Sequence, residues 1–323
     1  MINSREQRAY ERAEIRFRKA CLDASSPYSN LVWRFMSKKD IRSLISGLLS
    51  DVREEEDIAP SAVPSIVSVV QELLADDLLR EIGEPTKDDF RIYWLTLRGG
   101  RANDHNPLEL VSSLNRDGVV SHHSALVFHD LSDIRAASHF LTAPRKRPTR
   151  RDLTSDDHAI SPDLRSDQNR GGGSIRPKIG TKCFSLAGVE YRLRHSYPEH
   201  IFGVLEPWVD DYERIRVFGF ERALLDAVND PACNGGMRGV IEAWQKGAET
   251  IREEKLISHL HTFDRSSLWR RVGVLAAHVG RGDVAEMVSN AVPVEEWADD
   301  PLPLVWNRTK GSIVKPWNVI VPW

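Results

Sequence analysis

The sequence predicts an α+β protein in two parts: an N-terminal winged helix-turn-helix domain over residues 1–104 and a mixed α/β domain over 105–323. Three observations lead there. At 323 residues the chain exceeds what one hydrophobic core usually organises. Up to residue 95 the apolar side chains recur at helical spacing and end in a short β-rich ribbon, whereas beyond residue 106 short strand-like and helix-like segments alternate. Residues 144–180 carry almost no large apolar side chain. Such a stretch cannot offset its own ordering entropy and is expected to be a mobile loop, or a segment ordered by a partner.

Residues 4–22 read as an amphipathic helix, with Tyr10, Ala13, Ile15 and Phe17 set among arginines and a break at the SSPYSN loop. Ser37 followed by Asp40 resembles a capping box and opens a helix whose apolar face is Ile41, Leu44, Ile45, Leu48, Leu49 and Val52. A second helix is expected from Ser61, with Pro64 in its first turn, Val63, Ile66, Val67, Val70, Leu73 and Leu74 in register, and an end at Leu79. A loop over Glu84–Asp89 then precedes Phe90–Leu95, which has strand composition. Helix, helix and ribbon in this order are the wiring of a winged helix. The reading helix has serines where arginines often sit.

The second part begins with a helix over Leu108–Leu114, a strand at Val119–Val120, a helix over Ser121–Leu131 and a strand near Phe140–Leu141. Strands resume at Lys182–Leu186 and Val189–Leu193, turned by Ala187-Gly188. The run Ile215, Val217, Phe218 then feeds a helix with Phe220, Leu224, Leu225 and Val228 on one face, which stops at Asn229-Asp230-Pro231. Asn234-Gly235-Gly236 supplies positive φ before a helix near Met237. Leu256, Ile257 and Leu260 mark the next helix, and Leu268, Val272, Leu275, Ala276 and Val279 the one after, ended by Gly280. A helix near Val284–Val288 and an extended tail complete the chain.

Composition bounds the function. The content is 41% hydrophobic and 28% charged, and no apolar run approaches the roughly 20 residues that span a bilayer. The charged N-terminus lacks the apolar core of a signal peptide, so a cytoplasmic protein without a membrane partner is expected. Cys21, Cys183 and Cys233 form no Cys-x-x-Cys pair and suggest neither a disulfide framework nor a zinc finger. The net charge of -3 does not announce nucleic-acid binding, but basic residues gather at 5–19 and 145–151.

Candidate sites divide by chemistry. For DNA, the helix pair and ribbon offer Lys38, Lys39, Arg42, Ser61, Ser65, Ser68, Arg91, Arg98 and Arg101. Arg145, Lys146 and Arg147 are a further phosphate or partner contact, against a solvated loop neutralised by Asp152, Asp156 and Asp157. His122, His123 and His129 raise a metal, but no cysteine or second ligand pair accompanies them, and polar helix-start or surface histidines are preferred. Glu221 and Asp226 raise acid/base catalysis. Five residues apart they diverge by about 140° on a helix, and with Arg222 beside Glu221 a salt-bridge or capping role is preferred. Arg270 and Arg271 are expected as surface charges flanking a core helix. No catalytic residue, cofactor or metal is expected.

The strand leading into Glu221-Arg222-Ala223-Leu224-Leu225-Asp226, the Gly235-Gly236 loop and the Arg270-Arg271-Val272-Gly273 helix resemble the AbiEi family of type IV antitoxins. Gly118–Asp133 resembles that family's strand and Ser-Ala-Leu helix, and Lys315–Trp323 its closing strand. The resemblance covers roughly residues 37–323 and is strong from 118 onward. It implies the antitoxin of a bacterial toxin–antitoxin pair, counteracting a nucleotidyltransferase-like toxin encoded beside it and repressing the shared promoter through the winged helix. Such a protein binds and does not catalyse. The rivals are a stand-alone transcription regulator and an antitoxin that acts by direct toxin contact without DNA binding.

Overall fold

The computed structural model describes residues 4–23, 25–28, 32–55, 63–85, 90–98, 106–145, 179–209, 213–291, 301–304 and 311–321. The chain is α+β. Helix α1 (Ser4–Leu22) leads to strand β1 (Phe35–Ser37), helices α2 (Lys38–Glu55) and α3 (Ile66–Ala75), and strands β2 (Leu79–Ile82), β3 (Glu84–Pro85) and β4 (Ile92–Leu95). Strands β1, β4 and β2 form an antiparallel sheet in that order, with Phe35 opposite Trp94 and Leu79 opposite Leu95.

Local chemistry explains these boundaries. The Asp40 N–H donates to Ser37 Oγ at 3.3 Å, and the Ser37 hydroxyl lies 2.7 Å from the Asp40 carboxylate, so α2 starts on the expected cap. Helix α3 differs from expectation at both ends. Its N-cap is Ser65, whose hydroxyl accepts the Ser68 N–H, so Pro64 precedes the helix instead of sitting in its first turn. It stops at Ala75 because Asp77 turns to φ 58°, and Leu79–Ile82 runs on as a strand. In α1, Tyr10, Ala13 and Phe17 are buried as expected, while Ile15 is 61% exposed.

The apolar residues of the small sheet are buried on both faces, and alternation along the strands assigns them to two cores. Phe35, Ile82, Ile92 and Trp94 pack into the core of the C-terminal part. Met36, Leu79, Tyr93 and Leu95 pack with Phe17, Leu44, Leu48 and Leu73 of α1–α3.

Beyond residue 105 come α4 (Pro107–Ser112), β5 (Val119–Ser121), α5 (His123–Phe128), β6 (Ser138–Pro144), β7 (Thr181–Leu186), β8 (Val189–Ser196), β9 (Val204–Leu205) and β10 (Val217–Phe218). They build a mixed seven-stranded sheet, order β3-β7-β8-β6-β5-β10-β9. The β7–β8 hairpin turns at Ala187 (φ 49°) and Gly188 (φ 80°), the positive-φ pair that matches strand twist. Helices α4 and α5 pack against its strands, and α6 (Phe220–Asn229), α7 (Gly236–Gly247), α8 (Glu253–Phe263), α9 (Ser266–His278) and α10 (Gly282–Ala291) follow, packed on α5 and on one another. A sheet of β11 (Leu302–Pro303), β13 (Val319–Val321) and β12 (Ser312–Val314) closes the chain.

Packing crosses the expected boundary at residue 104. Strand β3 belongs to the large sheet, Glu84 pairing with Ser185 and Pro85 with Phe184. Arg34 reaches Glu109 at 3.7 Å, Arg116 reaches Asp40 at 3.7 Å, and the Arg34 N–H donates to Glu213. Of the loop expected over 144–180, Pro144 instead ends β6 and the Arg145 N–H donates to the Ser196 carbonyl, while 146–178 lie outside the described residues.

Candidate nucleic-acid interface

Helix α2 puts Lys38, Lys39 and Arg42 in its first two turns, where Asp40 and the Ser37 cap already occupy part of the positive end of the helix dipole. Lys39 and Arg42 are exposed. Lys38 is half-buried, and its backbone N–H donates to the Arg91 carbonyl at 2.9 Å, tying the start of α2 to the entry of β4.

Two other expected cations have structural partners. Arg91 Nη1 donates to Glu81 Oε2 at 2.7 Å across the β2–β4 pair, and Arg98 Nη2 donates to the Val32 carbonyl at 3.0 Å. Arg145 follows β6, in the large sheet and not on the α2–α3 pair; its backbone N–H donates to the Ser196 carbonyl at 2.7 Å and its guanidinium lies 5.9 Å from the Tyr197 ring centre. Ser61, Arg101, Lys146 and Arg147 lie outside the described residues.

The outer face of α3 carries Ser65, Val67, Ser68 and Gln71, all exposed. The two serine side chains are occupied with each other: the Ser65 oxygen accepts the Ser68 N–H at 3.1 Å and lies 2.7 Å from Ser68 Oγ. Gln71 is the residue that sequence reasoning passed over. Val67, expected in register on the apolar face of this helix, is instead 52% exposed, and Gln71 lies one turn beyond it.

The histidines have separate surroundings. His123 Nε2 donates to the Ile134 carbonyl at 3.0 Å and His129 Nε2 to the Phe218 carbonyl at 2.8 Å, while buried His122 meets the Phe140 ring edge-on. Among the described residues no cluster of three His, Cys, Asp or Glu side chains is placed to hold a metal ion. Burial pushes the Cys21 and Cys233 thiols up to about 12.

The carboxylates of α6 are structural in geometry. Arg222 pairs with Asp226, one turn on, and not with its neighbour Glu221: Nε donates to Asp226 Oδ1 at 3.1 Å, Nη1 to the His200 carbonyl at 2.9 Å. The guanidinium lies 4.2–4.3 Å from the ring centres of Phe202, Phe218 and Phe263. Burial holds Asp226 above the usual carboxylate range even with Arg222 beside it. Burial would raise Glu221 too, but its backbone hydrogen bond, Arg252 at 3.0 Å and Lys255 at 3.2 Å outweigh that and hold it low.

Arg270 and Arg271 correct the expectation of surface charges, being only 3% and 1% exposed. Arg270 donates to the Trp317 and Asn318 carbonyls, both at 2.6 Å, and Arg271 to the Pro303 carbonyl at 3.1 Å. They bind the closing sheet to α9 by satisfying backbone acceptors, which makes burial of a guanidinium tolerable.

No family model matches the chain, and no curated protein does. The crystal structure of the RV2827C protein from Mycobacterium tuberculosis is similar, with a TM-score of 0.53 over 97% of this chain and 91% of that one, at 13% sequence identity. The likeness is one of fold. It runs through both parts of the chain. No helix among the described residues is long and apolar enough to cross a membrane.

Proposed function

We propose that this chain is a cytoplasmic DNA-binding antitoxin, non-enzymatic, that represses its own operon through an N-terminal winged helix. One observation carries the DNA reading: β1-α2-α3-β2-β4 folds with sheet order β1-β4-β2, leaving α3's outer face and the α2 cations exposed. In that arrangement α3 enters the major groove, and the start of α2 meets the phosphate backbone. Lys39 and Arg42 supply salt-dependent affinity. The segment after β2, which corresponds to the wing, is fastened to the large sheet through β3, so both parts would approach DNA as one body.

The antitoxin half of the reading rests on the resemblance of residues 118–323 to the AbiEi family, with a nucleotidyltransferase-like protein encoded beside it as the toxin. The test uses the full chain. A reporter driven by the promoter upstream of its own gene should be repressed, and cells expressing the adjacent gene should be rescued. Repression without rescue would make the chain a stand-alone regulator. Rescue without promoter binding would make it an antitoxin acting by direct toxin contact.

A further inference from the structure

Within the DNA-binding reading, on which this inference rests, α3 must obtain sequence information from very few groups. Its residues Ile66–Ala75 include no cation. Glu72, the helix's one ionisable residue, is half-buried beside Tyr10 of α1. Ser65 and Ser68 are bonded to each other. What remains is Val67, 52% exposed, and Gln71, exposed and with no hydrogen bond to its amide among the described residues.

Four residues apart on a helix, Val67 and Gln71 point about 40° from one another and are separated by about 6 Å along the axis. That rise is nearly two base steps of about 3.4 Å. In the major groove a glutamine amide matches adenine, accepting from N6–H2 and donating to N7, and an apolar side chain matches the thymine methyl. Guanine is read best by arginine or lysine, which α3 lacks. A solvent-facing valine is also explained, since it is a poor choice for a merely solvated face.

We infer that Val67 and Gln71 are the reading residues and that they select an A·T-rich site: Gln71 bonds the Hoogsteen edge of an adenine, and Val67 packs on a thymine methyl about two base steps away. Serines Ser65 and Ser68 shape the helix start and do not read bases.

The test selects binding sites for the full-length chain from a library of randomised duplex DNA. The wild type should enrich one adenine position strongly. Gln71→Ala should flatten that preference by about 5- to 150-fold, the range of one bidentate base contact. Gln71→Glu should turn it toward cytosine, whose N4 donates to a carboxylate. Replacing the neighbouring thymine by deoxyuridine should weaken the wild type and leave Val67→Ala unchanged. A wild type that binds the library without enriching adenine, or Gln71 variants that keep the wild-type base profile, would overturn the inference while leaving DNA binding intact. Absence of any salt-dependent binding by the wild type would remove the DNA reading and this inference together.

Discussion

Arg222→Met takes the charge out of the three-phenylalanine cage while keeping its volume. The loss can be worked from the geometry. Arg222 makes buried hydrogen bonds to Asp226 and the His200 carbonyl, and Asp226 is itself only 3% exposed. Breaking a buried pair from one side typically costs about 3–5 kcal/mol. Asp226 can limit that cost by taking a proton. Protonating a carboxyl of ordinary value 3.8 at pH 7 costs about 4 kcal/mol, so the expected loss at pH 7 is about 4 kcal/mol. The sign of the pH dependence follows. In the variant, Asp226 has a folded value further above its unfolded one, so the folded state binds the extra proton. The deficit against wild type should therefore shrink as pH is lowered toward 5, by at most about 1.4 kcal/mol for each pH unit. Arg222→Met/Asp226→Leu, which removes both charges, should recover most of the loss. Urea denaturation at pH 7 and pH 5, read by tryptophan fluorescence with matched m-values, measures all three. A deficit that stays constant or grows on acidification, or a double variant no better than the single, would refute the reasoning.

Three further outcomes follow from the same geometry. His139 is held down to about 4, chiefly by burial, and Ser124 Oγ lies 3.1 Å from its Nδ1 while accepting the Phe140 N–H; its depressed folded value means its contribution is complete above about pH 6.5 and lost as pH falls toward 4, up to about 3 kcal/mol, so the stability–pH slope of His139→Asn should be shallower there. Gly273→Ala gains about 1 kcal/mol of helix propensity, but the added Cβ would lie 2.2 Å from Trp317 Nε1, on a residue whose carbonyl is gripped by Arg270, so a net loss of about 1–2 kcal/mol should appear in thermal melting. Ser65→Ala removes the α3 cap and should cost about 1 kcal/mol of stability without altering the base profile of bound DNA; a changed profile at unchanged stability would return Ser65 to the reading face.

Much of the fold was legible because periodicity is a property of single elements. The α2 cap at Ser37 and Asp40, the Ala187-Gly188 turn and the strand-to-helix switch at Phe218–Phe220 all sit where local rules put them. Strand β1 was invisible, since Phe35–Ser37 is three residues long, all buried, and shows no alternation. Leu79 and Ile82 continue the helical spacing of Leu73 and Leu74, and only the backbone reversal at Asp77 separates them. The site was less legible, because its chemistry depends on partners far away in sequence. The carbonyls that bury Arg270 lie 47 and 48 residues on, and the rings around Arg222 come from the loop before β9, from β10 and from α8. Local spacing likewise could not say that Arg91 is paired with Glu81, or that the Ser65 and Ser68 hydroxyls bond to each other.

The central claim is that the start of α2 meets DNA phosphates, and the salt dependence of binding tests it most directly. Duplex affinity should be titrated from 50 to 200 mM salt, conditions over which phosphate contacts dominate the change, for the full-length wild type and for Lys39→Ala/Arg42→Ala. Both residues are exposed at the head of α2 and away from its buried face, so folding should be unaffected. Losing two phosphate contacts should reduce the slope of log K against log salt by about 1.8 and weaken promoter and random DNA alike. An unchanged slope in a folded double variant would contradict the account.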